Sequence, residues 1–218
     1  WDIRDMLEAK NAPFVLLENV DRLIKSPAKQ RGRDFGIILA CFRDLGYTVE
    51  WRVINAAEYG YQQRRRRTFI FAYKNSTKYA NRICESVKYN CMNGDELRRI
   101  SMSKLIHEAG FFAKSFPIEI IDGKKMQFDK LPDGIGELSD SFSFSFENSG
   151  VMKDGYFYTI KTSPLYEGNQ ITLGDIMEEG EVDKQFFIPE ERLYYTYPEI
   201  DHSDETKGKL PKEHRQTW

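Results

Sequence analysis

The feature that most limits what this chain can fold into is a pair of signals about forty residues apart. The first is Pro13-Phe-Val-Leu-Leu-Glu-Asn-Val20, an apolar run that stops on a carboxylate and an amide. The second is Tyr59-Gly-Tyr-Gln-Gln-Arg-Arg-Arg-Arg-Thr-Phe-Ile-Phe-Ala72, an arginine run that opens another apolar run. Unbroken apolar runs of this length are how strands buried on both faces read, as in the parallel sheets of α/β folds. Ligands of such sheets bind outside the carboxyl ends of the strands. A strand at Phe14–Leu17 therefore puts Glu18 and Asn19 on a functional rim. In an extended Arg67–Ala72 the side chains alternate between faces. Arg65, Arg67, Phe69 and Phe71 then share one side, and Arg64, Arg66, Thr68 and Ile70 the other. Gln63, Arg65 and Arg67 project together, where guanidinium groups suit phosphates and planar acceptors. Either signal alone also fits a solvated strand end or a basic edge. The functional case rests on their occurring together.

Periodicity extends this core in both directions. Asp2–Lys10 reads as a helix with Ile3, Met6 and Leu7 on one face. Residues 21–33 are a loop. Asp34–Leu45 is a helix capped by Asp34, lined by Phe35, Ile38, Leu39 and Phe42, and ended by Gly46. Tyr47–Ile54 alternates like a strand, and Arg67–Tyr73 is the next one. This order is part of a doubly wound α/β domain, with exposed apolar surface expected along the first strand. Asn75-Ser76-Thr77 marks a boundary. Beyond it, Asp95–Phe112 is expected as a helix with Leu97, Ile100, Leu105, Ile106 and Ala109 inward. Strands are expected at Met126–Phe128, Ser141–Phe146, Tyr156–Ile160 and around Phe186–Ile188. Phe142, Phe144 and Phe146 share one face, which suits a half-buried strand better than a base-stacking surface.

Charge and cysteine usage narrow the function classes. The net charge of −2 argues against a general nucleic-acid binder. Residues 1–73, however, carry 13 Lys+Arg against 9 Asp+Glu, so basic contact belongs in the first third. No apolar run approaches membrane-spanning length. The three cysteines, Cys41, Cys84 and Cys91, lack metal-ligand spacing and fit a reducing compartment. Cys41 reads as a buried core thiol. His107, His202 and His214 are scattered and form no metal constellation. Gly134-Ile-Gly136 is read as a turn rather than a phosphate cradle. The chain opens on Trp1 and closes on Trp218, and is read as truncated at both ends.

Glu18-Asn19-Val20 followed by Tyr59-Gly60 and Gln63-Arg64-Arg65-Arg66-Arg67 resembles the DNA (cytosine-5)-methyltransferases, in which both segments are ordered motifs. Trp1-Asp2-Ile3 is similar to the tail of the preceding motif. Ile171-Thr-Leu-Gly-Asp-Ile176 with Phe186-Phe-Ile-Pro resembles a looser segment of many bacterial members. The strong resemblance covers roughly residues 1–75. It implies a partial Rossmann-like methyltransferase domain at 1–75 and a mixed α+β target recognition domain at 76–218. It implies S-adenosyl-L-methionine as methyl donor and double-stranded DNA as partner, with neither membrane nor metal. A bacterial cytoplasmic setting also follows from it, and a cognate restriction endonuclease encoded nearby is compatible with it.

The family adds a cysteine thiolate to C6 of a flipped cytosine before methylating C5. Glu18 matches the carboxyl that acts at N3 and the exocyclic amine; a partly desolvated strand end favours the protonated form this needs. Arg67 matches the arginine that holds the cytosine O2, and Arg65 one of the same polar network. Asn19 and Val20 match residues that shape the loop, and Gln63 and Arg64 belong to the substrate-binding segment. Gln62 departs from the pattern, standing where the family usually has proline. No cysteine of this chain follows a proline, and no glycine-rich loop follows a strand, so the chain alone is expected to be inactive. Methylation of cytosine in transfer RNA and a non-catalytic DNA-binding module are the alternative readings; the long region after residue 75 argues against the first.

Overall fold

A computed structural model describes residues 2–90, 92, 94–120, 125–140 and 142–187. The first third folds largely as its periodicity dictates. Helix α1 (Asp2–Lys10) buries Leu7, but Ile3 and Met6, expected on the same inward face, are exposed. Strand β1 (Phe14–Val20) runs past Leu17 and takes Glu18, Asn19 and Val20 into the sheet. Helix α2 (Arg33–Asp44) buries Phe35, Leu39 and Phe42. Gly46, at φ 76°, turns the chain out of that helix in the left-handed region that glycine enters without a Cβ penalty. Gly32 rather than Asp34 occupies the capping position. Asp34 lies one residue inside the helix and accepts the Ser26 hydroxyl at 2.7 Å. Strands β2 (Tyr47–Asn55) and β3 (Arg66–Lys74) follow.

Beyond residue 75 the chain forms α3 (Lys78–Ser86), α4 (Asp95–Lys104), β4 (Ile118–Ile120), β5 (Met126–Lys130), α5 (Ile135–Asp140), β6 (Ser149–Lys153), β7 (Tyr156–Ile160) and β8 (Thr162–Pro164). A six-stranded sheet runs β1-β3-β2-β6-β7-β5, with every pairing antiparallel. The class is α/β, but the expectation of parallel neighbours is corrected. β1 and β2, joined across α2, do point the same way, yet β3 lies between them and opposes both. A crossover helix can return a strand parallel, whereas the short helical turn at Ala56–Tyr59 and its loop bring β3 straight back. The sheet also crosses residue 75, because β6 pairs with β2. Gly150 of β6 faces Trp51, and a Cβ there would run into the indole.

Other expectations change with tertiary context. The helix from Asp95 passes into a π-helical turn at Leu105–Ala109 and stops at Gly110. Leu97 and Ile100 are exposed, while Arg98, Ser101 and Met102 are buried. Arg98 stacks its guanidinium over Tyr156 at 3.8 Å, so its long stem occupies the inward face in place of an aliphatic one. Gly134-Ile-Gly136 is not a free turn but leads into α5. Residues 142–146 join no strand. Their alternation nevertheless aims Phe144 at Phe157 and Phe146 at Phe35 and Trp51, so this aromatic face is core. Around Phe186 there is a short 3-10 turn instead of a strand, with Phe186 and Phe187 exposed. Ile188, Cys91, His202 and His214 lie outside the described residues.

One face of the sheet packs on α2 and α5 through Trp51, Ile70, Phe35, Leu39 and Leu138. As expected, the first strand carries exposed apolar side chains, Phe14, Leu16 and Val20. Beside it, α1, β1 and α2 enclose an apolar cleft of about 570 Å³ lined by Leu7, Leu16, Leu17, Ile38 and Cys41. Cys41 is partly buried there, and burial pushes its thiol up.

The opposite face buries charged side chains, among them Glu50 and Arg52 of β2. Arg52 donates to the carbonyls of Ile106 at 2.6 Å, Phe112 at 3.3 Å and Phe116 at 2.5 Å. Glu50 accepts the Phe111 N–H at 2.8 Å. Together they staple residues 106–116 to β2. Burial raises the Glu50 carboxyl from 4.5 to about 7, with the Phe111 N–H and Arg52 pulling the other way. The folded protein therefore binds this proton more tightly than the unfolded chain does. Its contribution to stability is fully present below 4.5 and is lost as pH rises through about 7. His107, lowered by burial, drives stability in the opposite direction near its ordinary value of 6.5. The Glu50 part is thus the difference between wild type and Glu50→Gln. The melting temperature of the variant is expected to gain on wild type between pH 5 and 8. Parallel melting curves across that range would contradict the assignment.

Candidate functional site

Glu18 and Arg67 meet because β1 and β3 are antiparallel, so the end of one strand lies beside the start of the other. The register sets Val20 against Arg67, Asn19 against Thr68 and Glu18 against Phe69. Residues opposed in this way share a face. Glu18, Val20, Arg67 and Phe69 are therefore on one side, and Asn19 and Thr68 on the other. Arg67 Nε reaches Glu18 Oε1 at 2.5 Å. Its Nη1 donates to the Arg66 carbonyl at 2.7 Å, which fixes the plane of the guanidinium. The Glu18 side chain is 48% exposed and that of Arg67 23%. Glu18 is consequently open to a ligand, without the desolvation expected of a strand end. The Asn19 side chain turns back to accept the Val20 N–H at 2.8 Å, and Thr68 donates to the Val20 carbonyl at 3.3 Å. These two bonds shape the chain where it leaves the strand.

Gln63, Arg64 and Arg65 are exposed and precede β3, so strict alternation begins only at Arg66. For Arg64 and Arg65 the division between two faces is corrected on that account, while Arg66 and Arg67 alternate within β3. Arg64, Arg65, Arg66 and Arg67 all line one open cleft of about 1370 Å³, together with Gln62, Gln63 and Val20. Arg66 pairs with Glu58 at 3.2 Å. Among the described residues Arg64 and Arg65 form no ion pair. Their charge is available to an anion arriving from solvent. The cleft also takes in Asp21, Arg22, Leu173 and Ile176, none of which the motif pattern singled out as site residues. Arg22 was legible only as the next cation after Glu18-Asn19-Val20. Leu173 sits inside, and Ile176 directly after, the Thr172-x-x-Asp175 pattern of a tight turn.

The far wall of the cleft is held by Gly60. It has φ 89°, and a Cβ there would collide with the Tyr166 hydroxyl and come to 2.7 Å from the Asn169 carbonyl. The Gly60 carbonyl accepts the Ile171 N–H at 2.8 Å, and Tyr59 packs edge-on against Tyr166. The result is a carboxylate and a guanidinium in contact at the mouth of a basic cleft. Such a pair offers an acceptor and several donors to a planar, polar heterocycle, and the neighbouring arginines suit the phosphates attached to it. Among the described residues no group of three or more His, Cys, Asp or Glu side chains is placed to hold a metal ion. No helix among them is long and apolar enough to cross a membrane.

The family model for C-5 cytosine-specific DNA methylase matches residues 1–216. The type II methyltransferase M.Sau3AI of Staphylococcus aureus is 43% identical over 194 residues, which cover 88% of this chain and 43% of that protein. The type II methyltransferase M.NlaIV of Neisseria lactamica is 27% identical over 162 residues, covering 71% of this chain and 36% of its own length. The chain therefore spans less than half the length of these relatives. With the family model matched from residue 1 to residue 216, the chain belongs to the C-5 cytosine-specific DNA methylase family.

Proposed function

We propose that this chain is the part of a type II DNA cytosine-5 methyltransferase that grips the flipped target base and selects its sequence context. The observation that carries this is the Glu18–Arg67 contact at the mouth of the arginine cleft. A cytosine drawn out of the duplex presents N3, its exocyclic amine and O2 on one edge. In its protonated form the Glu18 carboxyl addresses the first two, its O–H donating to N3 and its other oxygen accepting from the amine. Electron withdrawal at N3 then makes C6 open to a thiolate. Arg67 donates to O2, and its contact with Glu18 sets the spacing of the two groups. Arg65 extends the polar network, Gln63 and Arg64 hold the strand on either side of the base, and Asn19 and Val20 fix the rim.

S-adenosyl-L-methionine supplies the methyl group in this reading, but the described residues do not fit it on their own. The apolar cleft beside α1 offers mostly aliphatic walls, with Asp2, Arg4, Glu18 and Asn19 as its charged and amide groups. Ribose hydroxyls and a charged amino-acid end need more polar partners than that. We place the donor site on other parts of the enzyme, as we do the thiolate. We further propose that β1–β3 and α2 belong to a Rossmann-like doubly wound domain, and that the setting is a bacterial restriction-modification system.

Residues 76–218 are assigned to target recognition, although β5–β7 share the sheet with β1–β3. Groups that grip the flipped cytosine see the same base at every site, so sequence choice needs contacts with the flanking pairs. Exchanging residues 76–218 for the equivalent segment of a relative is expected to change which cytosine is modified. Bisulfite sequencing of DNA from cells carrying the chimera reads this out. An unchanged site after the swap removes the recognition role.

A further inference from the structure

The arginine cleft has a second wall that charge does not explain. Leu173 and Ile176 line it along with the arginines, yet they are 67% and 48% exposed. Isolated exposed aliphatics are ordinary, but these two stand on a turn that is built rather than loose. Asp175 Oδ2 accepts both the Thr172 N–H and the Thr172 hydroxyl at 2.7 Å. The Asp175 N–H returns a bond to that hydroxyl at 3.3 Å. The turn is tied in its turn to the Gly60 carbonyl through Ile171. An anchored turn that holds two aliphatic side chains out to water over a basic cleft keeps a preformed apolar contact open.

We propose that Leu173 and Ile176 pack against the deoxyribose and base faces of the DNA strand whose phosphates the arginines hold. This rests on the reading of the cleft as a DNA site. Charge decides the occupant. The surrounding side chains of Arg22, Arg64, Arg65, Arg66 and Arg67 outnumber Asp21 among the cleft residues, so the cleft repels cations and draws in polyanions. A nucleic acid is a polyanion whose sugars, base faces and thymine methyls give aliphatic side chains something to bury. The two walls then divide the work: the arginines contribute a salt-dependent part of the affinity, and Leu173 and Ile176 a part that salt does not screen.

The test is the affinity of the intact protein for a short fluorescein-labelled duplex of random sequence, followed by anisotropy across a series of salt concentrations. The variant Leu173→Ser with Ile176→Ser is expected to weaken binding by about tenfold at every salt concentration, leaving the slope of log K against log salt unchanged. Arg64→Ala is expected to reduce that slope by about one instead. Leu173→Met with Ile176→Val keeps the apolar area and should bind like wild type. Wild-type affinity in the Ser variant overturns the proposal, as does an equal loss in the Met/Val variant, which would make the shape of the turn the cause. The DNA reading fails separately, if wild-type binding does not depend on salt and Arg64→Ala leaves it unaltered.

Discussion

Replacing Glu18 by Gln is expected to cut turnover of the intact enzyme by about a hundredfold or more while leaving DNA affinity nearly unchanged. The amide keeps the shape of the side chain and an oxygen for Arg67, so the rim stays assembled. What it loses is an acidic proton to pass to N3 as charge develops there, since an amide N–H donates a hydrogen bond but does not protonate the ring. That interaction strengthens in the transition state, so its loss falls on the rate rather than on binding. Arg67→Ala is expected to hurt both, because in the proposed role the guanidinium donates to the base, and it also holds Glu18 at 2.5 Å. A methyl-incorporation assay alongside duplex binding separates the two patterns. Equal activity of Glu18→Gln and wild type would falsify the role given to Glu18.

Arg52→Met is expected to destabilise the fold by about 3–5 kcal/mol, the range for removing one member of a buried charge cluster. One guanidinium serves the carbonyls of Ile106, Phe112 and Phe116. Methionine fills a similar volume but leaves these carbonyls without their donor and Glu50 without its counter-charge. Arg52→Lys should recover only part of the loss, since a single ammonium cannot span three acceptors held by a planar fork. Urea denaturation followed by tryptophan fluorescence gives the comparison, Trp51 lying next to Arg52 in β2. A loss below about 1 kcal/mol would show that residues 106–116 hold to the sheet by apolar packing alone.

The first third of the molecule was legible because its signals are local. Phe14–Leu17 and Phe69–Ala72 are apolar strands with polar ends, although the first is half-open rather than buried on both faces, and the 3.6-residue spacing of Phe35, Leu39 and Phe42 specifies α2. The contact of Glu18 with Arg67 was not in the pattern as such, because it depends on β3 entering between β1 and β2. No local propensity encodes that choice of neighbour. Later segments misled for the opposite reason, tertiary contacts overriding local preference. Arg98 is drawn inward by Tyr156, and the phenylalanines of 142–146 meet α2 and β7 instead of a partner strand. Glu50 and Arg52 read as the polar half of an alternating strand, with nothing to mark that a π-helical turn and its following loop would close over them. Leu173 and Ile176 were visible only as part of a loosely similar segment.

The placement of β1 has a bearing on how the site moves. Among the described residues this strand is paired on one side only, to β3, and its other edge is free. Elements with a single hydrogen-bonded neighbour open before the rest of a sheet. Opening of β1 separates Glu18 from Arg67 while β3, flanked by β1 and β2, keeps the arginines in place. On the proposed reading, the cleft would then keep its arginines on the phosphates at moments when the carboxylate has swung away. Amide exchange should record this as weaker protection at Leu16 and Glu18 than at Ile70 and Phe71, so that loading of the strand and engagement of the base are separable events in time.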